Sequence, residues 1–333
     1  ASYFEGNVGI GTMSPTEKLD VVEGNVRISN LPNCNSLATD SNGKIICNVV
    51  PPPPPITCVS GSQDFLTPGE FSLVVAEDMK GCKFNFTIKG GGGSSSGCYN
   101  GGIGGGIRIS DIQVPQTGSH SFGILVGAKG HAGSGRSIGG GGAGDYASGA
   151  GASAVKLDST VLAISGGGGA SSYYTAGGDG GSGNSAGKDG NECSADSYST
   201  CWSYCKDGLK GPNAEPGRGG GSNSGGESGH VGARGGSNGD DGKSSVGQGG
   251  KGYPVFMVSG GGGGGNDQYS YGAGGGGGYG GGGGGGAGCG GLCNYAGAGG
   301  GGGYLNTANV ATFQIILGAT DQSNGSVNVS WKE

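Results

Sequence analysis

The stretch Lys83-Phe84-Asn85-Phe86-Thr87-Ile88-Lys89-Gly90-Gly91-Gly92-Gly93 changes material in its middle. Phe84, Phe86 and Ile88 alternate with Lys83, Asn85, Thr87 and Lys89, the period of two that marks a strand with one buried face. The four residues that follow carry no side chain, so the apolar face stops and bare backbone continues.

The same strand signature returns at Ile107/Ile109, Ile124/Val126, Val155/Leu157, Phe313/Ile315/Leu317 and Val327/Val329/Trp331, and the apolar run Val255 to Val258 reads as a short buried strand. Segments with helical period are nearly absent. The pattern predicts an all-β sandwich or jelly roll. Between the strands lie glycine runs, among them Gly139–Gly142, Gly166–Gly169, Gly260–Gly265, Gly274–Gly278, Gly280–Gly286 and Gly299–Gly303. An extended helix with three residues per turn has no internal hydrogen bonds. Copies made of glycine can lie side by side and pair their N–H and C=O groups, because no Cβ holds them apart. The expectation is therefore an all-β fold with polyglycine II helices. Collagen, the other structure of period three, needs unbroken repeats rich in proline, and the glycine-periodic segment 208–235 holds only Pro212 and Pro216.

Glycine supplies 90 of 333 residues and proline 12, a composition that in an unpatterned chain signals disorder. The strand patterning argues for order, as do a net charge of only −6 and a charged fraction of 13%. So do ten cysteines, an even number suited to disulfides in an oxidising compartment. Proximity pairs Cys34 with Cys47, Cys58 with Cys82 and Cys289 with Cys293; Cys98, Cys193, Cys201 and Cys205 leave three connectivities open. Ala1-Ser2-Tyr3 reads as the start of a mature or trimmed chain. No apolar stretch reaches the ~20 residues of a membrane helix, so no membrane insertion is expected. The lack of basic blocks speaks against nucleic acid.

Three regions emerge. Residues 1–50 alternate short strand candidates (Val21–Val22, Val26–Ile28, Lys44–Cys47) with turns such as Asn42-Gly43. They offer too little core to stand alone, so association between chains is expected. Residues 51–55 are five prolines, a stiff linker of about 15 Å. Residues 56–333 form the glycine-rich tip.

No catalytic set is apparent. Gly235-Gly236-Ser237-Asn238-Gly239 lacks the strand–helix context of a nucleophile elbow, and Gly242-Lys243-Ser244 lacks the strand before a phosphate loop. Histidine occurs only at 120, 131 and 230, without zinc spacing. No cofactor or metal is expected; Asp179, Asp189, Asp240 and Asp241 read as solvated loop acids. The candidate ligand-binding residues are aromatics in glycine-serine loops: Tyr173, Tyr174, Tyr198, Trp202, Tyr204, Tyr269 and Tyr271. Such side chains give large contact area at low entropic cost.

Gly6 to Val21 (GNVGIGTMSPTEKLDV), followed by GNVRISNLP and SNGKIICN, resembles a repeat of bacteriophage tail fibres and of the mosaic adhesive trimers of predatory Bdellovibrio-type bacteria. That resemblance implies a homotrimeric β stalk carrying a tip that recognises other cells. Within 56–333, Phe86-Thr87-Ile88-Lys89 with Gly90–Gly93, Ile124-Leu125-Val126-Gly127, Val161–Ile164 with Gly166–Gly169, and the run through Cys289 to Tyr304 are similar to the extracellular glycine-rich domain of anaplastic lymphoma kinase. It implies a TNF-like jelly roll beside polyglycine II helices. The expected function is that of a non-enzymatic extracellular adhesin, exported through an oxidising compartment, that binds a glycan or protein on a prey or host cell. A structural glycine-rich matrix or ice-binding protein is the alternative.

Overall fold

The computed structural model describes residues 5–16, 19–22, 36–39, 45–48, 58–96, 99–131, 136–144, 147–172, 175–190, 248–264, 266–267, 270–282, 297–320 and 322–333. The chain divides into two compact units, Ala1–Pro55 and Ile56–Glu333.

In the first unit, β1 (Val8–Ile10) pairs in parallel with β2 (Leu19–Val21), and β3 (Ser36–Thr39) pairs antiparallel with β4 (Ile45–Asn48). Val22 N donates to the Ile10 carbonyl at 2.9 Å and continues the parallel pair. Gly11 turns at φ +78°, and a Cβ there would strike the Val22 carbonyl oxygen. That close approach explains the second glycine of Gly-Ile-Gly-Thr. Val26–Ile28, Cys34 and the proline run lie outside the described residues.

The second unit is built on two antiparallel five-stranded sheets. The first carries, in spatial order, β15 (Thr312–Leu317), β8 (Gly105–Gln113), β7 (Lys83–Lys89), β16 (Ser326–Lys332) and β5 (Gly61–Phe65). The second carries β14 (Tyr304–Leu305), β11 (Thr160–Ser165), β10 (Ser153–Leu157), β9 (His120–Val126) and β6 (Gly69–Val75). Two three-residue 3-10 turns, Glu77–Met79 and Pro254–Phe256, are the helical elements among the described residues. Phe84, Phe86 and Ile88 are fully buried, as the alternation in β7 requires. They meet Ile107 and Ile109 of β8, Phe122 and Ile124 of β9, Val155 of β10 and Val327 of β16 in one core. Phe122 stands 4.8 Å from both Phe84 and Phe86, ring centre to ring centre, in tilted contacts that tie the two sheets together. A disulfide joins Cys58 to Cys82, with Cα atoms 4.9 Å apart.

Two elements depart from the sequence reading. The run Val255 to Val258 is not a strand: Pro254 opens a 3-10 turn and Met257 sits in the left-handed region at φ 58°. The turn presses Phe256 and Val258 onto Leu125, Ala154, Val161 and Ile164, covering the outer face of the second sheet over β9–β11. The strand β15 forms as expected, yet Phe313, Ile315 and Leu317 stay 48%, 51% and 76% exposed. β15 is an edge strand, and the strand at the corresponding edge of the other sheet, β14, is only two residues long. Among the described residues, little covers the row.

At one end of the sandwich the strands run directly into glycine. Successive N–H groups of segment 166–171 donate to three different neighbours and then repeat. Gly166 and Gly169 donate to Gly181 and Gly178, Gly167 and Ala170 to Gly277 and Gly274, and Gly168 and Ser171 to Gly91 and Ser94. Its carbonyls accept from three further segments, through Gly105 and Gly102, Gly301 and Ala298, and Ala150. The segment is thus hydrogen-bonded on six sides with a period of three, and none of those bonds lies within it. Every neighbour sits at backbone distance: a Cβ on Gly168 would lie 2.5 Å from the Gly102 carbonyl carbon and 3.0 Å from Gly93 N. Side chains hold facing sheets ~10 Å apart; once they end, the strands close up and satisfy their backbone groups on every side. Buried serines seal the joint, Ser165 Oγ donating to the Ile88 carbonyl and Ser153 Oγ accepting from Gly127 N, both at 3.0 Å. Where slightly more room exists, Ala147, Ala170, Ala273 and Ala298 pack together.

Candidate functional site

The outward face of the first sheet is a polar trough of about 710 Å³. Cross-strand partners project on the same side of a sheet, so the register assembles it in two rows that cross the strands. One row runs Arg108, Thr87, Asn328, Asp64, continued on the edge strand, outside the trough's lining, by Gln314. The other runs Thr312, Ser110, Asn85, Ser330, Ser62, with a bulge between Ser110 and Asn85. Lys83 and Lys332, cross-strand partners, close one end beside Glu333.

The bulge shapes the floor. Register shifts opposite Asn85, Asp111 takes φ 60°, and Asp111 N donates to Asn85 Oδ1 at 3.2 Å. Bulges re-aim side chains, and a non-glycine residue held at positive φ is strained backbone. Elsewhere Asn328 Nδ2 donates to Asp64 Oδ1 at 2.8 Å, and Arg108 Nε reaches Thr87 Oγ1 only at 3.4 Å. The ion pairs among the described residues are Lys80–Glu77, His120–Asp158 and Lys188–Asp179. The charges of the trough, Lys83, Arg108 and Lys332 against Asp64, Asp111 and Glu333, therefore balance in number while none is paired with another. The arrangement offers donors and acceptors in alternation to a hydroxyl- or amide-bearing partner.

Of the aromatic residues proposed from sequence, Tyr271 alone falls among the described residues. Tyr173, Tyr174, Tyr198, Trp202, Tyr204 and Tyr269 lie outside the described residues, as do Cys98, Cys193, Cys201, Cys205, Cys289 and Cys293. Tyr271 is placed by its backbone in a two-residue hairpin strand, β13 (Ser270–Tyr271), paired with β12 (Asn266–Asp267). Cys47 lies in β4. Tyr253, Tyr279 and Tyr304 pack beside the Phe256 cluster, where burial and the neighbouring Tyr304 push the Tyr279 phenol up from its ordinary value. Asp179 is spent on structure: its Oδ1 accepts from Ile103 N at 3.0 Å and its Oδ2 from Lys188 Nζ at 2.6 Å, which raises the lysine. Among the described residues, no group of three or more His, Cys, Asp or Glu is placed to hold a metal ion.

The trough residues escaped the sequence reading because each sat on the polar side of a strand and looked like a solvated face. One signal was present: the apolar spacing Ile107, Ile109, Ile112 changes from two to three, the mark of an inserted residue. Comparison with known proteins finds no family model that matches the chain and no curated protein similar to it.

Proposed function

We propose that the chain is the tip of a trimeric extracellular fibre, a non-enzymatic adhesin that recognises a glycan or protein on the surface of another cell. In this reading residues 1–50 belong to the stalk and 56–333 form a TNF-like jelly roll capped by polyglycine II helices. The six-sided, three-residue hydrogen-bond repeat around segment 166–171 supports that geometry. The Cys58–Cys82 disulfide supports export through an oxidising compartment.

The observation that carries the functional reading is the contrast between the two outer faces of the sandwich. The Phe256 cluster covers β9–β11 of one. Among the described residues the other is left as a concave polar surface with a strained bulge and no ion pair among its charges. Concavity and charge also weigh against ice, whose lattice favours a flat, regular face. The test is attachment of the fluorescently labelled full chain to intact cells. Thr87→Trp raises a bulky ring from the middle of the floor and should reduce attachment at least tenfold with the melting temperature unchanged. Undiminished attachment by a folded Thr87→Trp protein sinks the assignment of recognition to this face.

A further inference from the structure

The rows of the trough repeat at the strand spacing of ~4.8 Å, close to the length that one pyranose residue adds to a glycan chain. A linear oligosaccharide laid across the strands would meet a new pair of side chains at each sugar. Along the first row those side chains are amide, guanidinium, hydroxyl, amide and carboxylate; along the second they are hydroxyls and one amide. Vicinal sugar hydroxyls both donate and accept, which suits a floor that alternates the two roles. Bonds to Arg108 and Asp64 are charge-assisted and shorter than neutral ones.

Other macromolecules fit less well. Protein interfaces centre on buried aromatic or large apolar anchors, and Val329, the one large apolar residue among the trough's lining, is itself buried. Nucleic acid and other polyanions call for a surplus of cations, whereas three basic side chains here face three acidic ones. We infer that the trough binds a neutral linear oligosaccharide running across the strands, about one sugar per strand. The inference rests on the reading of this face as the recognition surface and names the class of its ligand.

The test is titration calorimetry of the full chain with three neutral pentasaccharides: β-1,4-glucose, α-1,4-glucose and β-1,4-N-acetylglucosamine. A heparin pentasaccharide serves as the polyanion, and each probe is run at low and high salt. At least one neutral probe should bind with a Kd below ~1 mM. Its affinity should be insensitive to salt, weaken markedly when the probe is cut to a disaccharide, and fall at least tenfold in both Thr87→Trp and Arg108→Ala. Failure of every neutral probe, binding of heparin alone with steep salt dependence, or neutral binding that both variants retain each overturns the inference. If neither a neutral probe nor heparin binds while Thr87→Trp still abolishes cell attachment, the saccharide is wrong and recognition by this face stands, with a protein as ligand. If Thr87→Trp leaves attachment intact, recognition by this face has itself failed.

Discussion

His120 Nδ1 lies 2.7 Å from Asp158 Oδ2 and its Nε2 2.8 Å from the Thr117 carbonyl, two acceptors that favour the imidazolium, at the end of the sandwich opposite the glycine bundle. Asp158, in the β10–β11 turn at φ 50°, also accepts from Ser121 N at 3.0 Å. The hydrogen bond to Asp158, then that to Thr117, raises His120 above its ordinary 6.5; the bond from His120 holds Asp158 below its ordinary 3.8.

The raised histidine contributes stability that is complete below pH 6.5 and disappears as pH rises through its folded value. The depressed aspartate contributes stability that is complete above pH 3.8 and disappears as pH falls through its own folded value. The pair should therefore stabilise most between those two limits. Asp158→Asn should lower the melting temperature by a few degrees inside the window and by less on its alkaline side. A difference that does not vary with pH would show that the turn geometry of Asp158, and not its charge, matters.

The Cys58–Cys82 bond closes a loop of sequence separation 24 and fixes the segment before β5 to the chain entering β7. Its loss should cost ~2–4 kcal/mol, read from the denaturant midpoint of the Cys58→Ser/Cys82→Ser protein. The paired variant isolates this bond from the remaining cysteines, which added reductant would not do. An unchanged midpoint would mean that the β core alone holds the two segments.

In the glycine bundle a single methyl group should be enough to break the fold. A Cβ on Gly168 meets carbonyl and amide backbone of two neighbouring segments, and backbone locked on six sides cannot move aside. Gly168→Ala should destabilise by more than the ~1–3 kcal/mol usual for overpacking. Gly6, with nothing within 4 Å of its Cβ position, is the control, and Gly6→Ala should leave the melting temperature unchanged. Equal, small effects at the two positions would mean that the bundle is loose enough to repack.

Much of the β core was legible because it is written locally. The alternation in Phe84, Phe86 and Ile88, or in Val327, Val329 and Trp331, states both the strand and its buried face. Periodicity names a face without saying what stands opposite, so Phe313, Ile315 and Leu317 read as core although β14 is too short to cover them. The run Val255 to Val258 misled for a different reason: Phe256 and Val258 do bury, but Pro254 and the left-handed Met257 set a turn that leaves Val255 exposed. The trough was the least legible part. Asp64, Thr87, Arg108 and Asn328 come from four strands spread over most of the chain, and only cross-strand register brings them into one row. No local pattern encodes a non-local pairing.

Association through residues 1–50 is expected from the apolar side chains that the described residues of that unit leave exposed. Ile10, Leu19 and Val22, in and next to the β1–β2 pair, are 56%, 61% and 42% exposed. A unit this small buries too little of its own surface to be stable alone, and burying these side chains against copies of the same chain contributes ~25 cal/mol for each Å² removed from water. Three copies are expected from the fibre resemblance of Gly6 to Val21. Light scattering on the full chain should therefore give about three times the 31.8 kDa chain mass. Leu19→Asp places a charge inside that contact and should dissociate the particle to single chains. Because the 56–333 unit has its own core, its unfolding transition should survive the change. A monomeric parent protein removes the stalk assignment, and a trimer indifferent to Leu19→Asp moves the contact away from the β1–β2 pair.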